Sequence, residues 1–470
     1  MSVAQQDRTA PAGPRLDGQR VLVVGLGRSG LAAVRLAVAQ GASVVVTDGK
    51  PASELGAAAP AARQLGAELR LGGNAPELAD AADLVVVSPG VPPGIELLRR
   101  ARALGRPVWG ETELAARYCG GRVIAITGSN GKSTVTTMVG AILRRAGRSV
   151  AVGGNLGTPL ADLLREGPAA TYVLELSSFQ LETLHSLHPQ VAVVLNVSAD
   201  HLDRHPTFEA YLGAKARLLE LQRADGDALL NADDPATARL VPALRGRVHR
   251  FSVRSAVASG GFLRGERLVL RTGQGPEEDL LDRVELPLPG EHNVANALAA
   301  AFAARLDGCP PEAIAEALRD YEPLPHRLQR VATIRGVALY DDSKATNPAA
   351  AARALAAFDP GRVHLILGGR DKGCDWSEIV PCVRRHARRV LLVGEASSML
   401  RELLAGVAPL VECGTVPRAV SAALDGAEAG DVVLLAPGCA SFDQYRDYVA
   451  RGEDFHRAAR AQLDAGEPHA

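Results

Sequence analysis

Lysine is nearly absent from this chain. Of its 52 basic residues only five are lysine, at positions 50, 132, 215, 344 and 372. Drift toward arginine wherever either residue serves would produce this bias, so the lysines that remain are candidates for chemistry arginine cannot perform: a compact ammonium, or an amine that can lose its charge. Asparagine is nearly as scarce, with eight in 470 residues. Net charge of either sign is also missing. A formal charge of −1 gives no global basic field, which excludes nucleic acid as an expected partner. The six cysteines, at 119, 309, 374, 382, 413 and 439, form no CxxC pair and no zinc spacing, as expected of reduced thiols in a cytoplasm. No apolar run reaches membrane-spanning length, and residues 1–18 lack the apolar centre of a signal peptide. The expectation is therefore a cytoplasmic protein without a membrane partner, preceded by a disordered lead-in over 1–18.

What the chain does contain is 47% hydrophobic and 22% charged residues, an ordinary globular balance over a length that calls for two to four domains. Its most informative stretch is RVIAITGSNGKST, residues 122–134. An apolar strand runs into a glycine-bounded loop, and Gly131, Lys132, Ser133 and Thr134 open an amphipathic helix. Backbone N–H groups at such a turn wrap phosphate oxygens, the lysine reaches the outer phosphates, and a hydroxyl holds magnesium. The pattern is shortened, because Ile126 stands where the full phosphate loop has glycine. A structural turn is the competing reading.

Upstream, VLVVGLGRSG places Gly25, Gly27 and Gly30 after a strand, and SVVVTD ends at Asp48. This matches the dinucleotide fingerprint, which ordinarily suggests NAD, but a UDP-sugar offers the same diphosphate to a helix N-terminus. A further strand ends in Ser88-Pro89-Gly90. Downstream of the phosphate loop, near-continuous apolar runs predict a parallel sheet covered on both faces. Polar clusters follow them: GGNLG with Asn155, ELSSFQ with Glu175 and Ser177, and NVSADHLDRH with His201. Glu175 stands where a magnesium ligand is wanted. His201 alone reads more often as a satisfied core or surface histidine than as a catalytic or metal-binding one. Lys215 lies on a helical pattern. Residues 248–290 alternate like short antiparallel strands, and Asn293 and Asn296, three apart, share a helix face. A third α/β series carries DDSKATNP (341–348), GGRDKG (368–373) and APGCASFDQY (436–445).

These clusters, in this order, resemble the Mur ligase family over about residues 19–465. GSNGKST, ELSSFQ, the DHLDRH cluster, Gly213-Ala214-Lys215, GEHNVANALAA and the Pro325-His326-Arg327 arginine carry the resemblance. DDSKATNP and APGCASFDQY are similar to the branch that adds D-glutamate to UDP-N-acetylmuramoyl-L-alanine. The resemblance implies three α/β domains. These are an N-terminal Rossmann-like domain at 19–110, a central P-loop domain with a mostly parallel sheet at 111–323, and a C-terminal Rossmann-like domain at 324–470. It implies an ATP-dependent amide ligase acting through an acyl phosphate as a monomer, with two magnesium ions.

In residues, the resemblance implies an ATP site of Gly128, Ser129, Asn130, Gly131, Lys132, Ser133, Thr134, Asn293, Asn296, Arg327 and Asp342. Magnesium would be held by Ser133, Thr134, Glu175, His201 and Lys215, the last as a carbamate, with Lys344 near the transferred phosphate. Lys132, His201, Lys215 and Lys344 would be catalytic. The UDP substrate would meet Arg28, Ser29, Gly30, Asp48, Ser88, Pro89, Gly90, Asn155 and Ser177, although Gly49 and Lys50 depart from the hydroxyl and arginine expected there. D-Glutamate would meet Thr346, Lys372, Ser441 and the backbone near Tyr448. Two alternatives share parts of this machinery: another amino-acid-adding ligase of the family, and a folylpolyglutamate synthase, which should lack the first glycine-rich domain.

Overall fold

The apolar runs become strands that sort into three sheets. The computed structural model describes residues 13–198 and 204–466. The first sheet holds β1 (Arg20–Val24), β2 (Ser43–Asp48), β3 (Glu68–Leu71), β4 (Leu84–Val87) and β5 (Val108–Gly110). All pair in parallel, in the order β3-β2-β1-β4-β5. That order reverses between β1 and β4, so the loops leaving these two strands flank the crevice where open α/β sheets bind ligands.

The second sheet holds β6 (Arg122–Thr127), β7 (Val150–Gly154), β8 (Thr171–Glu175), β9 (Val191–Val194), β10 (Asp227–Asn231), β11 (Arg247–Ser252), β12 (Gly260–Arg264), β13 (Arg267–Arg271) and β14 (Glu277–Asp282). Its order is β14-β13-β12-β11-β10-β9-β6-β8-β7. Only the β12-β13-β14 meander is antiparallel; β11, expected to belong to it, pairs in parallel with both β10 and β12. Because β6 lies between β9 and β8, the phosphate loop leaves the sheet between Glu175 and Asn196. Near-continuous burial along β6, β8 and β9 shows both faces covered.

The third sheet holds β15 (Gln329–Ile334), β16 (Val337–Asp341), β17 (Val363–Gly368), β18 (Ala387–Val393), β19 (Leu410–Gly414) and β20 (Val432–Leu435). Its order is β15-β16-β20-β17-β18-β19, parallel except for the β15–β16 pair. The adjacent strands β16, β20 and β17 deliver DDSKATNP, APGCAS and GGRDKG side by side at their carboxyl ends.

The fold is thus α/β with mostly parallel sheets. It divides into two compact units, one with the first two sheets and residues 296–318, the other with residues 283–295 and the third sheet. The expected division at 110/111 separates two sheets, yet one apolar cluster runs through both, from Val21 and Val34 to Leu160, Leu174 and Leu230. The lead-in expected to be disordered is packed from residue 13 onward: Leu16 is buried, and the Tyr118 hydroxyl donates to the Pro14 carbonyl at 2.6 Å. An apolar leucine on the rim of that cluster ties the segment down. The six cysteines are free thiols, and among the described residues no helix is long and apolar enough to cross a membrane.

Candidate active site

The phosphate loop is shaped by its glycines and clamped from both sides. Gly128 and Gly131 take φ of +156° and +84°, and a Cβ on Gly131 would stand 2.5 Å from the Asn296 Oδ1. Asn296 is therefore seated on the loop. Asn196 accepts the Asn130 N–H on its Oδ1 (2.9 Å) and donates to the Asn130 carbonyl (3.0 Å), while Ser129 N–H donates to the Asn196 carbonyl. Ser129 Oγ donates to the Ser198 carbonyl at 3.0 Å and lies 3.3 Å from the Tyr211 hydroxyl. Asn196 and Tyr211 are absent from the residues assigned by resemblance; the available signal was a rare asparagine opening the cluster that contains His201. His201 itself lies outside the described residues.

The helix Lys132–Arg145 starts at the loop with Ser133 and Thr134 buried in its first turn, so its N-terminal dipole faces the loop. Lys132 Nζ donates to the Gly128 and Ser129 carbonyls at 2.9 and 3.0 Å. Lys215, on the helix Phe208–Glu220, is 1% exposed, and its Nζ donates to the same Gly128 carbonyl at 2.9 Å. It also lies 4.4 Å from the centre of the Tyr211 ring. Two ammonium groups converge on one carbonyl beside a helix N-terminus.

Glu175 ends β8, 3% exposed. Its Oε1 accepts the Asn155 Nδ2 at 2.6 Å, and its Oε2 is buried with no hydrogen-bond partner among the described residues. A buried, unsatisfied carboxylate oxygen fits a metal ligand, and the hydroxyls of Ser133 and Thr134 are of the same hard oxygen kind that magnesium takes.

Toward the first sheet, Arg28 Nη2 reaches the Asn155 carbonyl at 3.4 Å. Ser29 and Gly30 begin the helix Arg28–Ala39. Gly30 has a packing reason of its own, because an added Cβ would overlap the Gly25 carbonyl oxygen. The Asp48 carboxylate accepts the Leu26 N–H at 2.7 Å and the Lys50 N–H at 2.9 Å, so it braces the glycine-rich loop. Ser88 Oγ donates to the Gly25 carbonyl at 2.8 Å. Pro89 and Gly90 follow it on the crevice rim. A cavity lined by Ser88, Pro89, Phe179, Gln180 and Arg204 opens there. Ser177 caps the short helix Ser178–Leu181 through a reciprocal pair with Gln180, which occupies its hydroxyl.

On the third sheet, Gly438 N–H donates to the Ala345 carbonyl, and Arg370 and Ala440 exchange backbone hydrogen bonds at 2.9 and 3.0 Å. These contacts bring the loops carrying Thr346, Lys372 and Ser441 together. Lys372 is exposed, and Ser441 is buried with its carbonyl accepting the Tyr445 N–H. Asp371 holds the Lys372 loop by accepting from the Trp376 Nε1 and the Gly373 N–H. Lys344 Nζ lies 4.1 Å from the centre of the Tyr448 ring. Burial pushes the Asp342 carboxyl up to about 7, against the pull of Arg327. Asn293 is buried and donates to the Pro289 carbonyl at 2.7 Å.

Family models match along the chain: a Mur ligase MurD-like N-terminal domain at residues 19–110, a Mur ligase middle domain at 126–304, and a Mur ligase glutamate ligase domain at 326–439. The chain belongs to the Mur ligase family. Within it, the chain is 44% identical to the UDP-N-acetylmuramoylalanine–D-glutamate ligase of Acidobacterium capsulatum, over 96% of this chain and 99% of that one. It is 42% identical to the enzyme of the same name from Koribacter versatilis, over 95% and 98%. Among solved structures it is similar to UDP-N-acetylmuramate-alanine ligase MurC from Thermotoga maritima, with a TM-score of 0.60, 18% identity, and 94% and 99% of the two chains covered. A pseudomurein peptide ligase type C from Methanothermus fervidus gives a TM-score of 0.60 at 19% identity, covering 96% and 100%. At these identities the two structures speak for the fold alone.

Proposed function

We propose that the chain joins D-glutamate to UDP-N-acetylmuramoyl-L-alanine by an amide bond, at the expense of ATP, in the cytoplasmic synthesis of peptidoglycan precursor. The observation that carries this reading is the buried Glu175 oxygen without a described partner, on the strand next to β6 and so beside the glycine-bounded loop and the helix that Lys132, Ser133 and Thr134 open. An anion-binding loop beside a metal-ligand carboxylate suits phosphoryl transfer to a second anion, the substrate carboxylate. The near-full-length likeness to ligases named for this reaction supplies the substrate class. A folylpolyglutamate-type ligase is disfavoured by the first sheet and its glycine-rich crevice.

In this mechanism Lys132 and the loop N–H groups bind the β- and γ-phosphates of ATP, with Arg327, Asp342, Asn293 and Asn296 as further nucleotide contacts. Ser133, Thr134, Glu175, His201 and a carbamate on Lys215 would hold magnesium, which neutralises charge on the reacting oxygens. The terminal L-alanine carboxylate attacks the γ-phosphorus, ADP leaves, and an acyl phosphate forms. The uncharged amine of D-glutamate then attacks the acyl carbon, and the tetrahedral intermediate expels inorganic phosphate while the nitrogen loses its proton to the medium. Arg28, Ser29, Ser88 to Gly90 and Asn155 orient the nucleotide sugar. Lys372, Thr346, Ser441 and the Tyr448 backbone hold the two carboxylates of D-glutamate, and Lys344 stands by the transferred phosphate.

Phosphate release by the purified protein with ATP, magnesium and UDP-N-acetylmuramoyl-L-alanine tests the reading. Release is expected with D-glutamate and not with L-glutamate, and to vanish without the nucleotide sugar. Equal release with both isomers, or with a different amino acid only, would overturn the substrate assignment.

A further inference from the structure

Strand β16 ends in a carboxylate shared by two histidines. Asp341 is fully buried, and its Oδ2 lies 2.6 Å from the His326 Nδ1 and 2.8 Å from the His456 Nε2, while its Oδ1 accepts the Ser343 N–H at 2.8 Å. Burial works to raise the Asp341 carboxyl, and the hydrogen bonds from His326 and His456 overcome it and hold the group below its ordinary value. His326 is raised in turn by that hydrogen bond, with the charges of Glu453 and Asp447 adding to it. His456 comes from the helix Tyr448–Gly466, about two turns beyond Tyr448.

Both members of the His326–Asp341 pair directly precede a proposed nucleotide contact, Arg327 and Asp342. His326 sits at φ +61° and Leu328 at +45°, left-handed positions that strain a non-glycine residue and persist only when held from outside. Leu328 N–H donates to the Asp342 Oδ1 at 3.3 Å, and the His326 carbonyl accepts the Lys344 N–H at 3.2 Å. The His326 ring meets the Tyr448 ring edge-on at 6.3 Å. Arg327 is thus flanked by two left-handed residues whose backbones are bonded to Lys344 and Asp342, and the ring of the first of them, His326, rests on Tyr448 and is held by Asp341.

We propose that His456 is a positioning residue for nucleotide use: by fixing Asp341 from the last helix it locks His326, and through His326 the strained Arg327 segment and the Lys344 backbone. The inference rests on the ligase reading above. The three ligand atoms, all within 4.8 Å of one another, would also suit a divalent cation. That is disfavoured because both nitrogens lie at hydrogen-bond length from a single oxygen, each pair sharing a proton a metal would have to displace. Gly452 also crowds the spot, since a Cβ there would overlap the His326 Nδ1.

The test compares the wild-type full chain with His456→Ala and His456→Gln, whose amide can still donate to Asp341. In phosphate release, His456→Ala should raise KM for ATP about tenfold, the equivalent of one hydrogen bond to a charged group, while KM for the nucleotide sugar stays unchanged. His456→Gln should return most of the loss. An unchanged KM for ATP, or a uniform fall in all parameters that His456→Gln does not relieve, would overturn the inference. So would stoichiometric Zn²⁺ binding to the wild type that disappears in both variants. Should His456→Ala not fold, His456→Asn, too short to reach Asp341, carries the same expectation. ATP affinity measured directly by calorimetry on wild type and variants separates the two readings: absence of D-glutamate-dependent turnover in the wild type refutes the ligase reading, whereas unchanged ATP affinity in the variants refutes the role of His456.

Discussion

A carboxylate can be buried for function or in spite of its cost, and Glu175 and Glu111 divide along that line. Glu175 keeps one oxygen on Asn155 and the other without a described partner. Glu111 is satisfied: its Oε1 accepts the Ala161 N–H at 2.7 Å and its Oε2 the Thr112 hydroxyl at 3.1 Å. Burial nevertheless pushes the Glu111 carboxyl from 4.5 up to about 7. Its folded pKa is raised, so the folded state binds the proton more tightly and stability falls as pH climbs from about 4.5 to about 7. Glu111→Gln is expected to stabilise the protein by about 3 kcal/mol at pH 8, with the gain fading toward pH 4.5. Urea melts at the two pH values check this, and an equal effect at both would refute it. The lysines are the counterpart. On the proposed mechanism, in which Lys132 binds phosphate charge that develops in the reaction, Lys132→Ala should lower kcat by about a thousandfold while the melting temperature holds. Lys215→Ala should be as impaired, but short-chain carboxylates should restore part of the rate if a carbamate acts there. A rate indifferent to added carboxylate would remove the carbamate from the mechanism.

Single elements locate the site through their ends. The strand-to-helix junctions at β6, β8, β16 and β17 were legible in the sequence because apolar runs stop abruptly at glycine and polar clusters, and the phosphate loop was visible for the same reason. Other elements were not. Strand β3 reads ELRL with every residue half-buried or exposed, and β15 pairs only at the sheet edge, so neither shows a run. The double duty of Asp48 was equally hidden, since no pattern tells that it accepts the Leu26 N–H, whereas the Ser177-x-x-Gln180 spacing is itself a capping signal. Asn196 was missed because its clamp on Asn130 joins residues 66 positions apart. Gly131 is where an element's end and the chemistry coincide. At φ +84° with Asn296 where a Cβ would go, Gly131→Ala should cost about 2 kcal/mol of stability through strain and overpacking, and should abolish tight ATP binding. Denaturant melts and nucleotide titration report the two effects separately, and an alanine variant with normal ATP affinity would contradict the cradle described here.

Across the whole molecule, each sheet presents its own set of candidate groups at the carboxyl ends of its strands. The first offers the Arg28 to Gly30 turn and Ser88 to Gly90, the second the phosphate loop with Glu175 and Lys215, and the third the loops with Thr346, Lys372 and Ser441. A reaction with three anionic substrates suits sets of this kind, because the main donors to each anion then sit on loops that a sheet holds rigid. The division makes a kinetic demand. Within the sets named above, a substitution should raise KM for the one substrate its set grips and leave the others alone, while Arg327, Asp342 and Asn293 beside the third sheet serve ATP. Lys372→Ala removes a charged donor from a dianion, so KM for D-glutamate should rise about 10- to 100-fold with KM for ATP and for the nucleotide sugar within error of wild type. Arg28→Ala should do the reverse, weakening the nucleotide sugar alone. Steady-state constants for all three substrates in both variants decide the matter. A Lys372→Ala enzyme that loses ATP instead of D-glutamate would place that lysine on the phosphate, and the amino-acid site would have to be sought on the other loops of the third sheet.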